Sequence, residues 1–393
     1  MMENWNIQKL SSVLKIQNGY AFDSKLFTAV GGMQLIRIRD LKNGIKTEIN
    51  YSGAFDQKYL VSSGEFLIGM DGEFGCFEWK GINSLLNQRV CKLSQFSDNI
   101  NPRFLFYGIN KYLKEIEEVT AFTTVKHISS KQIENIEIPI PSLSEQNYIV
   151  ELIDKSFSAI DRAKANLEKN LQNAKDLFQS ELNSILTDTR WEVRELGSVC
   201  KKVEYGSSAK SVAEGSLPVL RMGNIRNGRF NWDNLVFSNN EKDNEQYLLR
   251  YNDVLFNRTN SPELVGKTAI YKGERPAIFA GYLIRIHRDE NLLDANYLNY
   301  YLNSDVALGY GKTVVISSVN QANINGSKLK TYPIPLPTLV EQQIIVERLD
   351  RLNDQIEGLA KIYTQKLQNL EELKKSILQK AFTGQLTQKE IPA

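Results

Sequence analysis

The sequence predicts a mixed α/β protein with a pseudo-twofold internal repeat, in which two globular domains are joined by two long helices that pair as an antiparallel coiled coil. Three observations predict this. Ile138-Pro139-Ile140-Pro141-Ser142-Leu143-Ser144-Glu145-Gln146 returns as Ile334-Pro335-Leu336-Pro337-Thr338-Leu339-Val340-Glu341-Gln342, an offset of 196 residues. Each copy leads into a long stretch whose apolar residues recur at steps of three and four. Short β-rich runs interleaved with turns precede each copy. A chain of 393 residues that is 42% apolar is long enough for two or more cores.

Residues 1–142 form the first globule. Its start, Met1-Met2-Glu3-Asn4-Trp5-Asn6, has neither a basic nor an apolar leader segment, so an unexported, soluble, cytoplasmic protein is expected. Strands are expected from Met33 to Arg39, Glu65 to Gly69 and Arg89 to Leu93, with a helix near Pro102 to Glu118. Arg37, Arg39, Lys42 and Asn43 gather near a strand end. Arginine and amide side chains can read base edges, and lysine and arginine neutralise phosphate. The loop Gly69-Met70-Asp71-Gly72-Glu73-Phe74-Gly75 offers a second contact surface.

Residues 143–187 form the central helix. Ile-Pro-x-Pro cannot continue a helix and favours extended backbone ahead of it. Ser142 or Ser144 is the expected cap, with Glu145 in the first turn against the positive end of the helix dipole. Ile153, Phe157, Ile160, Leu167, Leu171, Ala174 and Phe178 mark its seam, with Lys164 as a polar break.

Residues 188–338 form the second globule, which echoes the first. Trp191 to Leu196 answers Trp5 to Leu10, and Val219 to Gly228 answers Leu35 to Gly44. Strands are expected from Leu217 to Met222, Asp253 to Asn257 and Tyr282 to His287, and a helix from Asp294 to Leu308. The corresponding basic and amide group is Arg221, Asn224, Arg226, Asn227 and Arg229, with Arg258 on the loop Asn257-Arg258-Thr259-Asn260-Ser261.

Residues 339–386 form the distal helix, capped by Thr338, and 387–393 a flexible tail. Leu349, Leu352, Ile356, Leu359, Tyr363, Lys366, Leu370, Leu373 and Ile377 form its expected seam, in the same phase as the central one. Leu171-Gln172-Asn173 recurs as Leu367-Gln368-Asn369 without a gap in between. Each seam needs a partner, and a tandem repeat pairs its helices most symmetrically when they are antiparallel. About forty helical residues make a rod of roughly 60 Å, which suits readers of half-sites spaced along a duplex. The helices stayed similar while the globules drifted, which suggests one scaffold carrying two different tasks.

Residues for chemistry are missing. His127 and His287 occupy non-corresponding places, and Cys76, Cys91 and Cys200 fit neither a disulfide framework nor a zinc cluster. Gly266-Lys267-Thr268 and Gly311-Lys312-Thr313 lack the glycine five residues earlier that a phosphate-binding loop requires. Asn101-Pro102-Arg103-Phe104 carries arginine where an amino-methyltransferase loop needs a second proline. No run of eighteen apolar residues occurs, so no membrane span is expected. The net charge of +2 excludes nothing by itself.

With its paired Ile-Pro-x-Pro…Glu-Gln lead-ins and the closing Ser376-Ile377-Leu378-Gln379-Lys380-Ala381-Phe382-Thr383-Gly384-Gln385-Leu386, the sequence resembles the specificity subunits of type I restriction-modification systems over essentially its whole length. The central repeat ends differently, as Leu182-Asn183-Ser184-Ile185-Leu186. The resemblance implies that the globules are target recognition domains, each reading one half of a bipartite, asymmetric double-stranded DNA site. It implies further that the helices set the spacer and dock two methyltransferase subunits, and that restriction subunits join them for translocation and cleavage. This chain would be a non-catalytic subunit, with S-adenosylmethionine, ATP and Mg2+ belonging to those partners. The alternative is a coiled-coil adaptor between proteins, without DNA specificity.

Overall fold

The computed structural model describes residues 5–120, 126–318 and 321–386. The expected leaderless start at 1–4 and the flexible tail at 387–393 lie outside the described residues. The chain divides into two compact units: 1–165 with 366–393, and 166–365. Each unit thus holds one globule, the first part of one long helix and the last part of the other.

In the first unit, strand Asn6–Lys9 pairs antiparallel with Glu137–Ile140, tying the start of the globule to the lead-in of the central helix. A four-stranded sheet runs in the order Lys15–Asn18, Val90–Ser94, Phe66–Gly69, Gly75–Glu78. A five-stranded sheet has Met33–Ile36 parallel to Ser84–Leu86. Helix Pro102–Thr120 buries Phe104, Leu105, Ile109 and Leu113 in a core shared with Ile149, Ile153 and Ala381 of the long helices.

The second unit repeats the plan. Val193–Glu195 pairs with Pro333–Pro335. The four-stranded sheet is Cys200–Tyr205, Leu283–Arg288, Val254–Asn257, Thr268–Ile270, and Leu217–Leu220 runs parallel to Ile278–Phe279. Its core takes Leu182, Leu186, Ile345, Val346 and Leu349 from the long helices.

Two expected strands end early and one expected helix is broken, each for a local reason. Asp40 accepts the Arg37 N–H at 2.9 Å, so the strand expected to Arg39 stops at Ile36 and Ile38–Leu41 is helical. Asn224 does the same for the Arg221 N–H at 2.9 Å, and that strand stops at Leu220. The helix expected from Asp294 to Leu308 is two, Ala295–Leu302 and Asp305–Val314. Ser304 caps the second through the Ala307 N–H and gives its own hydroxyl proton to Tyr301 O.

The central helix spans Leu143–Leu186 and the distal helix Leu339–Ala381. Ser142, not Ser144, is the cap of the first, its hydroxyl accepting Glu145 N–H. Thr338 caps the second, and Glu341 accepts Thr338 N–H at 2.8 Å. The helices are antiparallel: Asp161 pairs with Lys374 (2.5 Å) and Lys164 with Glu371 (3.0 Å) in the first unit, and Glu181 with Arg348 in the second.

The central seam holds in part. Ile153 and Ile160 are buried, and Phe157, Leu167, Leu171, Ala174 and Phe178 half-buried. The distal seam fails at three of its nine positions. Leu349 is buried and Leu352, Ile356, Tyr363, Leu370 and Ile377 half-buried, but Lys366 is exposed, Leu359 is 38% exposed and Leu373 47%. The half-buried partners of the sound positions are Asn353, Ala360, Leu367 and Lys374. Lys374 belongs there because its stem and ammonium cover the Phe157 ring, 5.2 Å from its centre, while pairing with Asp161.

Candidate nucleic-acid interface

Both units hold their loops in the same hydrogen-bonded frame. Gln146 and Gln342 are each fully buried at the first turn of a long helix. Gln146 accepts from Asn101 N (2.8 Å) and donates to Asn99 O (3.0 Å) and Pro141 O (2.9 Å). Gln342 accepts from Asp294 N (2.8 Å) and donates to Leu292 O (2.8 Å) and Pro337 O (2.9 Å). Asn101 and Asp294 in turn cap the helices that follow. Tyr107 and Tyr300 donate from those helices to Asp154 and Asp350 on the long ones. Burial first, then the Asp154 hydrogen bond, pushes the Tyr107 hydroxyl up to about 12.

The sheets carry the second part of the frame. Val90 pairs with Gly69 in one unit as Leu283 pairs with Asn257 in the other. One residue further on, Met70 N–H donates to Arg89 O and Arg258 N–H to Tyr282 O. Met70 O and Arg258 O then accept from Ile128 N and Ile324 N. The inner parallel strands end one residue before Arg37 and Arg221, the landmark pair of the sequence repeat.

In the first unit the expected contact residues are tied to carboxylates. Arg37 lies 3.3 Å from Glu48 and 3.8 Å from Asp40, Arg39 lies 3.4 Å from Glu48, and Lys42 lies 2.7 Å from Glu73. Asn43 is exposed, but its side-chain oxygen accepts Ile45 N–H and Lys46 N–H, closing its own turn. A phosphate reaching Arg39 or Lys42 would have to exchange for an exposed glutamate, a small cost in water.

In the second unit Arg258 and the backbone just before Arg221 both meet the segment 280–282, while Arg221 Nη2 donates to Asn234 O at 3.1 Å. Ala280 N–H donates to Leu220 O, next to Arg221, and Arg258 Nε donates to Gly281 O at 2.9 Å. Asn224 is corrected from a contact residue to a buried clamp: it is 4% exposed, and its amide is used up on Arg221 N, Asn231 O and Asp233 O. Arg226 and Arg229 face each other across a hairpin turned by Asn227 (φ 50°) and Gly228 (φ 75°). Both arginines are exposed and form no ion pair among the described residues. That hairpin is anchored elsewhere, by Asn299 donating to Gly228 O at 2.9 Å.

Residues the sequence reading passed over stand in the same loops. Arg89 lies 3.4 Å and His127 2.5 Å from the Asp71 carboxylate. Tyr205, Tyr282 and Asn323 flank the corresponding place in the second unit. Behind it, Arg285 is buried between Glu204 (2.6 Å) and Asp253 (3.0 Å), and His287 reaches Glu204 at 2.9 Å. Burial would raise the Glu204 carboxyl, but the hydrogen bonds from His287 and Arg285 outweigh it and hold it at about 2. Cys91 is buried, which pushes its thiol up to about 12 and away from nucleophilic use.

Among the described residues, no helix is long and apolar enough to cross a membrane. The sequence matches the type I restriction modification DNA specificity domain over residues 2–173 and again over 189–371. It is 30% identical to the type I restriction enzyme EcoBI specificity subunit of Escherichia coli over 98% of this chain and 87% of that protein. Against the EcoKI specificity subunit of Escherichia coli K12 the identity is 25%, over 98% of this chain and 90% of the other. In fold it is similar to the HsdS subunit of Thermoanaerobacter tengcongensis, with a TM-score of 0.57 at 18% identity and coverage of 98% and 100%. A duplicated globule, a duplicated helix, the frame common to both and these matches agree: the chain belongs to the type I restriction modification DNA specificity family.

Proposed function

We propose that this protein is the sequence-recognition subunit of a type I restriction-modification complex, each globule reading one half of a bipartite, asymmetric site on double-stranded DNA. The observation that carries the reading is one hydrogen-bonded frame presenting unlike side chains at the same loop positions: Met70 against Arg258, Arg89 against Tyr282, His127 against Asn323. A duplicated adaptor for proteins has no need for such divergence inside a preserved frame. The reading places the chain in the cytoplasm as a non-catalytic subunit. Its helices set the spacer and dock two methyltransferase subunits, with restriction subunits joining them. S-adenosylmethionine, ATP and Mg2+ then act in those partners.

The test is methyl transfer. Purified alone, the chain is expected to transfer no label from S-adenosylmethionine to DNA; with the methyltransferase of its host it is expected to direct label to one split sequence. Transfer by the chain alone would refute a non-catalytic role, and methylation without a split motif would refute recognition by two modules.

A further inference from the structure

The last hydrogen-bonded pair of the two central strands carries one arginine in each unit, but on opposite strands. In the first unit the pair is Met70 and Arg89, and in the second it is Arg258 and Tyr282. Met70 is 7% exposed and cannot reach out, whereas the Arg89 side chain is 55% exposed.

Each arginine has its Nε beside an oxygen of its own unit, Arg258 through a hydrogen bond and Arg89 through an ion pair. Arg89 sits in left-handed backbone (φ 73°) with its Nε 3.4 Å from Asp71 Oδ2. Asp71 is itself fixed by His127 Nδ1 and by a bridge between the two backbones. Arg258 gives its Nε to Gly281 O, and its guanidinium lies 4.9 Å from the centre of the Tyr205 ring. The Tyr205 hydroxyl is held in turn by Gly326 N–H at 2.8 Å. In both residues Nη1 and Nη2 have no partner among the described residues. Arg37, by contrast, has Nη2 on Glu48.

A guanidinium held at Nε with its Nη pair open is already oriented for a two-point contact, which is how arginine reads O6 and N7 of guanine. Phosphate needs no such bracing, because a charge on a flexible stem suffices. Resting on the DNA-recognition reading above, we propose that Arg89 and Arg258 are the base-reading arginines of the two units, each reading a guanine in its own half-site. Neighbouring strands lie about 4.8 Å apart. The two arginines therefore need not read equivalent positions in the two half-sites.

The test is the methylation motif in the host, with this chain in its complete complex. Arg89→Ala is expected to relax one guanine of one half-site, with about a 5- to 150-fold loss of discrimination there, and to leave the other half-site unchanged. Arg258→Ala is expected to do the reciprocal. Arg89→Lys and Arg258→Lys keep charge and bulk but lose the fork, and are expected to relax the same positions. Arg190→Ala, at an exposed arginine in the link that follows the central helix, is expected to leave the motif intact. An unchanged motif in the alanine variants, equal relaxation of both halves, relaxation at a base other than guanine, or loss of all methylation even in the lysine variants would each overturn the assignment while the broader reading stands. A wild-type complex with no split motif would overturn the reading itself.

Discussion

Gln146 and Gln342 show how much one buried amide can organise. Each closes three hydrogen bonds between a helix start, its Pro-x-Pro lead-in and a loop of the globule. Replacing Gln342 with leucine would leave Asp294 N–H, Leu292 O and Pro337 O unpaired, so a loss of about 1–3 kcal/mol is expected in chemical denaturation. Gln146→Leu should cost a similar amount. Glu204 gives a pH-dependent counterpart. Its folded pKa of about 2 lies below the unfolded value, so its contribution is present above about pH 4.5 and fades as the pH falls toward 2. Between pH 6 and pH 3, wild type should lose roughly 2 kcal/mol more stability than Glu204→Gln. Equal acid sensitivity of the two proteins would mean that this carboxylate is not the titrating group.

At the scale of elements, the distal helix explains where sequence reading succeeded and where it slipped. Leucines flank the contact line on both sides, so steps of three and four also lead to Leu359, Lys366 and Leu373, which are exposed, and miss Ala360 and Lys374. Carrying the central seam across the offset of 196 residues would have led from Phe157 to Asn353, from Lys164 to Ala360, and from Phe178 to Lys374, the half-buried set. Leu349→Ala is expected to cost about 2–5 kcal/mol and Leu359→Ala less than about 1 kcal/mol by denaturant titration. A reversal of that order would restore the leucine seam. The helix lead-ins were legible because proline and a cap act locally. The loops were not, because short insertions break the register between globules: Leu35 aligns with Val219, yet Gly69 aligns with Asn257 and Val90 with Leu283. That drift hides Arg89, and composition does not reveal that the Asn224 amide is spent on its own loop.

At the scale of the whole molecule, the proposed ruler makes a prediction separate from any base contact. Four residues inserted into the central helix add about 6 Å of rise and slightly more than one turn. The methylated motif is then expected to keep its half-site bases and change its spacer. An unaltered spacer would mean that the helices do not measure DNA.

The closing Ala-Phe-Thr-Gly of the distal helix reaches back into the first unit. Ala381 is fully buried there, and the Phe382 ring lies 5.0 Å from that of Phe104, against Gly108, where a Cβ would come within 2.6 Å of it. In the second unit the smaller Leu186 and the larger Tyr301 occupy the matching places. During synthesis, therefore, the interior of the first unit has to wait for Ala381 and Phe382, which are made after every residue of the second unit. A ribosome that stalls or stops a dozen codons short of Phe382 would release a chain whose finished half is the second one, with the older half left open to proteases.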